Sequence, residues 1–172
     1  MKITMPNPDE YAPYYEKYIS KVKTDDPLEA LEEGKKKLIK FISKLGKKQL
    51  KYRYTEDKWT IKEILQHLID GERIFTYRAL RFARNDKSPL PGFDEKAYAP
   101  ASMATGRKIK SILEEYEAVR NATIALYKNL DEEMLFRSGT ASDNKMSVRA
   151  LLYVTLGHEL HHLEVIREKY LN

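Results

Sequence analysis

One stretch decides the fold: Lys58-Trp59-Thr60-Ile61-Lys62-Glu63-Ile64-Leu65-Gln66-His67-Leu68-Ile69-Asp70. It carries the clearest helix start in the chain, since Thr60 is a typical N-cap and Glu63, three residues on, completes a capping box. Trp59 and Ile64 occupy the positions of a hydrophobic staple across the same turn. Apolar residues then recur at helical spacing, so the sequence predicts a long amphipathic helix from residue 60 to about residue 84.

Helical periodicity recurs in three further long segments, at residues 26–45, 107–130 and 148 to nearly the chain end. Asp26-Pro27 and Ser147 are typical helix starts, and Gly46 is a typical helix stop. A shorter helix is predicted to begin at Asn7-Pro8.

The connections between these helices complete the predicted architecture. Residues 85–105 contain three prolines and residues 131–146 are polar, so both are predicted to be loops, and no segment predicts a strand. Four long helices in 172 residues predict a single domain over residues 1–172, an all-α four-helix bundle with a short extra N-terminal helix. The length of the 85–105 connection would let the second and third core helices lie parallel through a crossover.

Composition excludes several classes of protein. The 42% hydrophobic fraction is enough for a sizeable core, and the absence of cysteine excludes disulfides, thiolate ligands and a cysteine nucleophile. No apolar run approaches the roughly 18 residues of a membrane span, and residues 1–8 lack a signal-type apolar stretch. We therefore expect a cytoplasmic protein with no membrane partner, and a homodimer is compatible with this prediction.

The formal net charge of +5 would suit a nucleic-acid partner, but the distribution of the charges does not. Lysines alternate with glutamates, as in Glu32-Glu33-Gly34-Lys35-Lys36-Lys37, which is typical of solvated helix faces. No basic run is interleaved with aromatic residues. We therefore expect no nucleic-acid partner.

Histidines supply the strongest chemical signal. His158 and His162 lie four residues apart on the last predicted helix, so they share one face and can bind one ion. A catalytic zinc-type site takes three protein ligands and keeps one position open, and His67 is the natural third ligand. His161 is rotated off the shared face. The prediction is a divalent metal ion bound by His67, His158 and His162.

Non-metal interpretations of these residues stay open. His158 and His162 could be hydrogen-bonded core histidines, since buried imidazoles are costly without a partner. Gly71, one turn after His67, could leave room for a metal, a water or a ligand, or could reflect close helix packing. A glycine inside a helix costs about 1 kcal/mol relative to alanine, so one of these reasons has to offset it.

The run His158-Glu159-Leu160-His161-His162 also matches H-E-x-x-H, the zinc-protease helix, in which Glu159 would be the general base. Only ten residues follow the motif, which leaves no room for a further downstream ligand, and no strand edge is predicted to bind a peptide. A protease is therefore disfavoured. Glu159 remains the candidate catalytic residue for other chemistry, although it could instead orient a ligating histidine or serve only as a hydrogen-bond partner.

Three parts of the sequence together resemble the DinB superfamily, closest to its YfiT-like members, over nearly the whole chain. Residues 58–73 are similar to the family's tryptophan-to-histidine helix, and Gly157-His158-Glu159-Leu160-His161-His162 is similar to its H-x-x-x-H signature. The stretch Pro89-Leu90-Pro91-Gly92-Phe93-Asp94-Glu95 is similar to a loop common in one branch.

The resemblance implies a bundle with up-down-down-up helix order and a divalent metal, zinc or nickel, on His67, His158 and His162. Related enzymes transfer low-molecular-weight thiols such as bacillithiol or mycothiol, isomerise small acids with a thiol cofactor, or are described as metal-dependent hydrolases. The implied partners are a small-molecule thiol and an electrophile.

The expected function is activation of a bound low-molecular-weight thiol or water for attack on a small electrophile, as in a thiol S-transferase or a hydrolase. The alternative is a non-catalytic, metal-stabilised binding or stress-response module. Arg120 and Tyr77 are further candidates for substrate contacts if their helix faces turn inward.

Overall fold

The computed structural model describes residues 2–171, which form a bundle of four long helices. Among the described residues, the α-helices are α1 Glu16–Ile19, α2 Pro27–Ile42, α3 Lys47–Leu50, α4 Ile61–Ala83, α5 Glu95–Ala101, α6 Ile109–Lys128, α7 Glu132–Phe136 and α8 Val148–Val165. The strands are β1 Ser138–Ala141 and β2 Asn144–Ser147. Short 3₁₀ helices cover Pro8–Glu10, Pro13–Tyr15 and Ala104–Gly106, and a π-helical turn covers Ile166–Tyr170. No helix in residues 2–171 is both long and apolar enough to cross a membrane.

The core helices α2, α4, α6 and α8 form a closed ring of neighbours. Helices α4 and α2 each pack against α6 and α8. Side-chain bonds between α4 and α6 join Gln66 to Glu115 and, further along both helices, Thr76 to Thr123, so these helices are parallel. Bonds from Lys35 to Asn121 and from Lys128 to Glu32 show that α2 runs antiparallel to α6.

Helix α8 runs antiparallel to α4, because His67 lies beside His162 while Gly71, one turn later, lies beside His158. The order of the four core helices is therefore up, down, down, up. The predicted four-helix bundle and its helix order are confirmed, and the long connection between α4 and α6 makes the crossover that two parallel helices need.

The predicted helix starts of the two site-bearing helices are also confirmed. The Thr60 hydroxyl accepts a hydrogen bond from the Glu63 backbone N–H, and the Glu63 carboxylate accepts one from the Thr60 N–H. Ser147 caps α8 by accepting from the Ala150 N–H. These caps fix where α4 and α8 begin, and with that the positions of the histidines along them.

The predicted short N-terminal helix exists as α1, but it begins later than Asn7. Residues 8–15 form two 3₁₀ turns instead of a continuous helix. Pro13 has no backbone N–H and its ring crowds the preceding turn, which prevents one helix from running through this segment.

The prediction that the chain contains no strand is wrong at residues 138–147. Strands β1 and β2 pair antiparallel with Ser138 opposite Ser147 and Ala141 opposite Asn144. Ser142 and Asp143 connect them with φ values of 51° and 60°, the conformation that a tight two-residue hairpin turn requires. The strands are too short and polar for an alternating pattern to reveal them. The loops predicted at 85–105 and 131–146 likewise contain the short helices α5 and α7.

The core is divided into two apolar clusters with a polar layer between them. One cluster lies at the hairpin end and includes Phe75, Phe82 and Leu151, and the other lies at the opposite end. On α4, α6 and α8, the helical turn between the two clusters carries buried polar side chains. On α2 the corresponding position is Gly34. The layer contains His67, Glu72, Arg120, His158 and Glu159. Every apolar stripe is therefore interrupted at the level of the histidines.

Candidate metal centre

Three histidine side chains converge in the polar layer. His67 on α4 and His158 on α8 are 6% and 5% exposed, and His162 is partly buried one turn beyond His158. Nε2 of His158 lies 2.9 Å from Nε2 of His67 and 3.1 Å from Nε2 of His162. Within residues 2–171, no other group of three histidine, aspartate or glutamate side chains has ligand atoms so close, within 4.8 Å of one another.

These separations fit a shared metal ion. A metal–nitrogen bond to histidine is about 2.0–2.1 Å long. If two such bonds meet at an angle between about 90° and the tetrahedral angle, their nitrogens lie about 2.8–3.4 Å apart. The His158–His67 and His158–His162 separations, 2.9 and 3.1 Å, fall in this range, and all three ligand atoms lie within 4.8 Å of one another. The donor set therefore matches the metal that the sequence predicts.

Burial keeps these histidines neutral. Desolvation lowers the pKa of His67 to about 4 from an ordinary value of 6.5. The pKa values of His158 and His162 are lowered well below the ordinary value, first by desolvation and then by repulsion among the imidazoles themselves. Neutral imidazole is the form that binds metals, so the site is ready for an ion at neutral pH without releasing protons.

The metal-free protein is expected to lose stability as the pH falls from about 6.5 towards 4. In that window the unfolded chain protonates its histidines, while the folded chain does not protonate His67 until the pH reaches about 4. Each such group lowers the free energy of unfolding by about 1.4 kcal/mol per pH unit. Urea titrations of metal-free protein across this range measure the slope. The His67→Gln variant should show a shallower slope, and an unchanged slope would contradict the assignment of a depressed pKa to His67.

Close backbone approaches seat the His158 ring between α4 and α1. A Cβ atom on Gly71 would lie 3.4 Å from Cε1 of His158, at van der Waals contact, so α4 packs closely against this imidazole at Gly71. A Cβ on Gly157 would collide with the backbone carbonyl of Tyr18, so Gly157 lets α1 lie against α8. The Tyr18 ring then packs edge-on against His158, with centroids 5.2 Å apart. The close-packing interpretation of Gly71 is therefore supported, and room for a metal, a water or a ligand beside it stays a prediction.

His161 lies beside this cluster but is not part of it. Its ring packs 5.1 Å from that of His162 and 5.4 Å from that of Tyr18. Its nitrogens are not among the convergent ligand atoms. The assignment of His161 as a non-ligand stays a prediction, as does the assignment of the three ligands themselves.

Glu159 points away from the histidines into a buried cluster of charges. Its Oε2 accepts hydrogen bonds from the Tyr116 hydroxyl at 2.5 Å and from Nη2 of Arg120 at 2.6 Å. Arg120 also binds both oxygens of Glu72, and its side chain is only 1% exposed. Burial alone would lower the pKa of Arg120, but the Glu159 and Glu72 carboxylates raise it well above its ordinary value. The arrangement favours a structural role for Glu159, and its role as a base stays a prediction.

The two candidate substrate contacts, Arg120 and Tyr77, lie in different environments. Arg120 does turn inward, but its guanidinium is occupied by Glu72 and Glu159. Tyr77 is 51% exposed and bonds Arg81 on the outer face of α4. Tyr77 therefore does not reach the centre.

An open cavity of about 720 Å³ adjoins the centre on the His162 side. Its volume falls in the range of about 300–1,000 Å³ that is typical of small-molecule sites. Its lining comprises Arg53, Tyr54, Asp57, Lys58, Trp59, Glu63, Ile64, Lys96, Pro100, His161, His162, Val165 and Tyr170.

Trp59 links the cavity to the centre. Its indole lines the cavity and its ring centroid lies 4.8 Å from that of His67. The sequence predicted Trp59 only as part of a hydrophobic staple. A helix-start pattern does not reveal that the indole packs against His67 and lines the cavity.

Fold and site together define a class of protein: a four-helix bundle with three convergent histidines between its helices and a cavity beside them. The sequence pattern of the DinB superfamily matches residues 30–166. The chain belongs to the DinB superfamily, as the resemblance predicted.

Two relatives carry names that describe a metal-dependent hydrolase. The chain is 27% identical over 142 residues to a protein of Oceanobacillus iheyensis named "Putative metal-dependent hydrolase", covering 81% of each chain. It is 24% identical over 162 residues to the Bacillus subtilis protein named "Putative metal-dependent hydrolase YfiT", covering 92% of this chain and 89% of that one.

The solved structure of YfiT from Bacillus subtilis, described as "a probable metal-dependent hydrolase with an unusual four-helix bundle topology", superposes with a TM-score of 0.75 at 20% identity. The superposition covers 96% of this chain and 92% of that one. At this level of identity the likeness shows a shared fold.

Proposed function

We propose that this protein is a metal-dependent enzyme that activates a low-molecular-weight thiol or a water for attack on a small electrophile. The observation that carries the proposal is the convergence of three neutral histidines at the edge of an open cavity. The hydrolase names of the two relatives support the metal-dependent part. Zinc and nickel are the ions proposed, because imidazole ligands suit both.

The ligand set determines what an ion could do. His67, His158 and His162 are neutral, so they do not reduce the charge of an ion that they hold. A divalent ion bound there would act as a Lewis acid and lower the pKa of a water or thiol in its remaining position.

The residues around the three histidines orient the His158 ring and leave a path by which a reactant can reach the centre. The rings of Tyr18 and Phe75 pack edge-on against the His158 imidazole and support its orientation. His162 forms part of the cavity wall, so a reactant can approach the centre from that side. On the other sides the two apolar clusters close the bundle against water.

The competing function is a metal-stabilised binding module without turnover. The observation in its favour is that the Glu159 carboxylate is already bonded to Tyr116 and Arg120. If Glu159 is nevertheless a base, Glu159→Gln should keep the metal and lose about 10²–10⁴-fold in turnover. Near-wild-type turnover in a folded, metal-bound Glu159→Gln protein would remove Glu159 from the mechanism.

Turnover assays with metal-loaded and metal-free protein distinguish the two functions. Zinc- and nickel-loaded samples are incubated with an alkyl thiol and an activated aryl halide, and separately with an activated ester in water. We expect turnover in at least one loaded sample and none in the chelated protein or in His158→Ala. Equal rates with and without metal would contradict the proposal, and no turnover with any loaded sample would favour the binding module.

A further inference from the structure

The cavity beside the centre has an apolar wall. Tyr54 and Tyr170 pack edge-to-face with ring centroids 5.1 Å apart, and Trp59 lies on the side towards His67. Ile64, Val165 and Pro100 complete the apolar part of the lining. Such a wall suits the hydrocarbon or aromatic body of a small ligand.

The charged part of the lining has one cation in excess. Arg53 binds both oxygens of Glu63 at 3.1 Å, and Lys58 pairs with Asp57 at 2.7 Å. Both carboxylates that line the cavity are therefore already matched by a neighbouring cation.

Lys96 is the cation left over. Among the described residues, its ammonium group has no hydrogen-bond or ion-pair partner, whereas both other cations of the cavity are paired. It lies on α5, which packs against α4. Two acids precede it in sequence. Asp94 accepts hydrogen bonds at its Oδ1 from the backbone N–H groups of Lys96 and Ala97, and among the described residues Glu95 makes no ion pair with Lys96.

We propose that the cavity takes an organic carboxylate whose apolar body rests on Trp59, Tyr54 and Tyr170 and whose anionic group is bound by Lys96. This inference rests on the proposed function for the identity of the cavity as the reactant site. It adds the substrate class: one reactant carries a negative charge away from its reacting atom. Lys96 is then a specificity-determining residue, and α5 is the element that presents it.

Intrinsic fluorescence gives a direct readout, because Trp59 is the only tryptophan and lines the cavity. The probes are 3-phenylpropionate and 3-phenyl-1-propanol, which share an apolar body and differ in charge. The titrations use metal-free protein, so that coordination of the carboxylate by an ion cannot contribute. We expect the carboxylate to bind about threefold to fivefold more tightly than the alcohol, the upper part of the range for one partly exposed ion pair.

Matched variants assign the preference to Lys96. In Lys96→Gln the two probes should bind within about twofold of each other, whereas Lys40→Gln, an exposed lysine on α2 outside the cavity lining, should keep the wild-type preference. The preference should also shrink as salt is added, because the pair is partly exposed. No preference in the wild type, or a full preference in Lys96→Gln, would overturn the inference.

A zinc-loaded arm separates this inference from the proposed function. The thiol 3-mercaptopropionate is titrated against zinc-loaded wild type and His158→Ala. A carboxylate preference that depends on Lys96, without any metal-dependent gain for the thiol, would sustain the inference and contradict thiol activation. A metal-dependent gain for the thiol, together with the same affinity for it in Lys96→Gln as in the wild type, would do the reverse.

Discussion

Replacing Arg120 with alanine is expected to lower the free energy of unfolding by about 3–5 kcal/mol. The guanidinium is buried and makes hydrogen bonds of 2.8 and 2.9 Å to Glu72 and one of 2.6 Å to Glu159. Without it, two buried carboxylates would face each other with no countercharge. The substitution would also remove the link that joins α6 to α4 and α8 at the level of the histidines.

Chemical denaturation of metal-free protein measures this effect without contribution from an ion. The matched control is Lys128→Ala on the same helix, whose partner Glu32 is 2.7 Å away but whose side chain is 54% exposed. Exposed pairs contribute little, so this variant should unfold almost as the wild type does. Equal stability of Arg120→Ala and Lys128→Ala would show that the buried cluster does not stabilise the bundle.

Replacing any one of His67, His158 or His162 with alanine is expected to weaken metal binding more than about 100-fold. Changing a residue that only orients a ligand typically costs 10–100-fold, and here a ligand itself is lost. Metal content after dialysis should therefore fall close to zero in each variant, measured by mass spectrometry of the metal. His161→Ala is the control, and it should keep the wild-type content because its nitrogens do not converge with the others. Full metal content in His158→Ala would contradict the ligand assignment.

The same ion should stabilise the bundle, because His67 lies on α4 while His158 and His162 lie on α8. At a thousandfold excess over its dissociation constant, an ion that binds only the folded state contributes about 4 kcal/mol, or roughly 10 °C in melting temperature. Chelation should remove this increment in the wild type and change nothing in the three ligand variants. The helical content should survive chelation, since the apolar clusters do not depend on metal.

Local patterns in the sequence predicted the long helices correctly. The capping box at Thr60 and the N-cap at Ser147 are interactions over three residues, so they are visible in the sequence itself. The shared face of His158 and His162 is also local, because four residues make about one helical turn. Their convergence with His67 needed only the expectation that the two helices pack side by side.

Long-range contacts could not be predicted in this way. Arg120 is 48 residues from Glu72 and 39 residues from Glu159, and no periodic pattern relates side chains on three separate helices. The cavity is built from the segment before α4, from α5 and from the end of α8, so Lys96 carried no sequence signal. The hairpin depends on Ser142 and Asp143 adopting positive φ, which is less common for these residues than for glycine.

Locating the ion in the protein shows directly whether His67, His158 and His162 are its ligands. The experiment is a crystal structure of the zinc- or nickel-loaded protein, with anomalous data collected at the absorption edge of the metal. The anomalous signal at that edge comes from the metal, so it locates the ion directly. We expect one anomalous peak about 2.0–2.1 Å from the Nε2 atoms of His67, His158 and His162, with a free position towards the cavity. A peak bound to His161, or at a site away from these three nitrogens, would contradict this expectation.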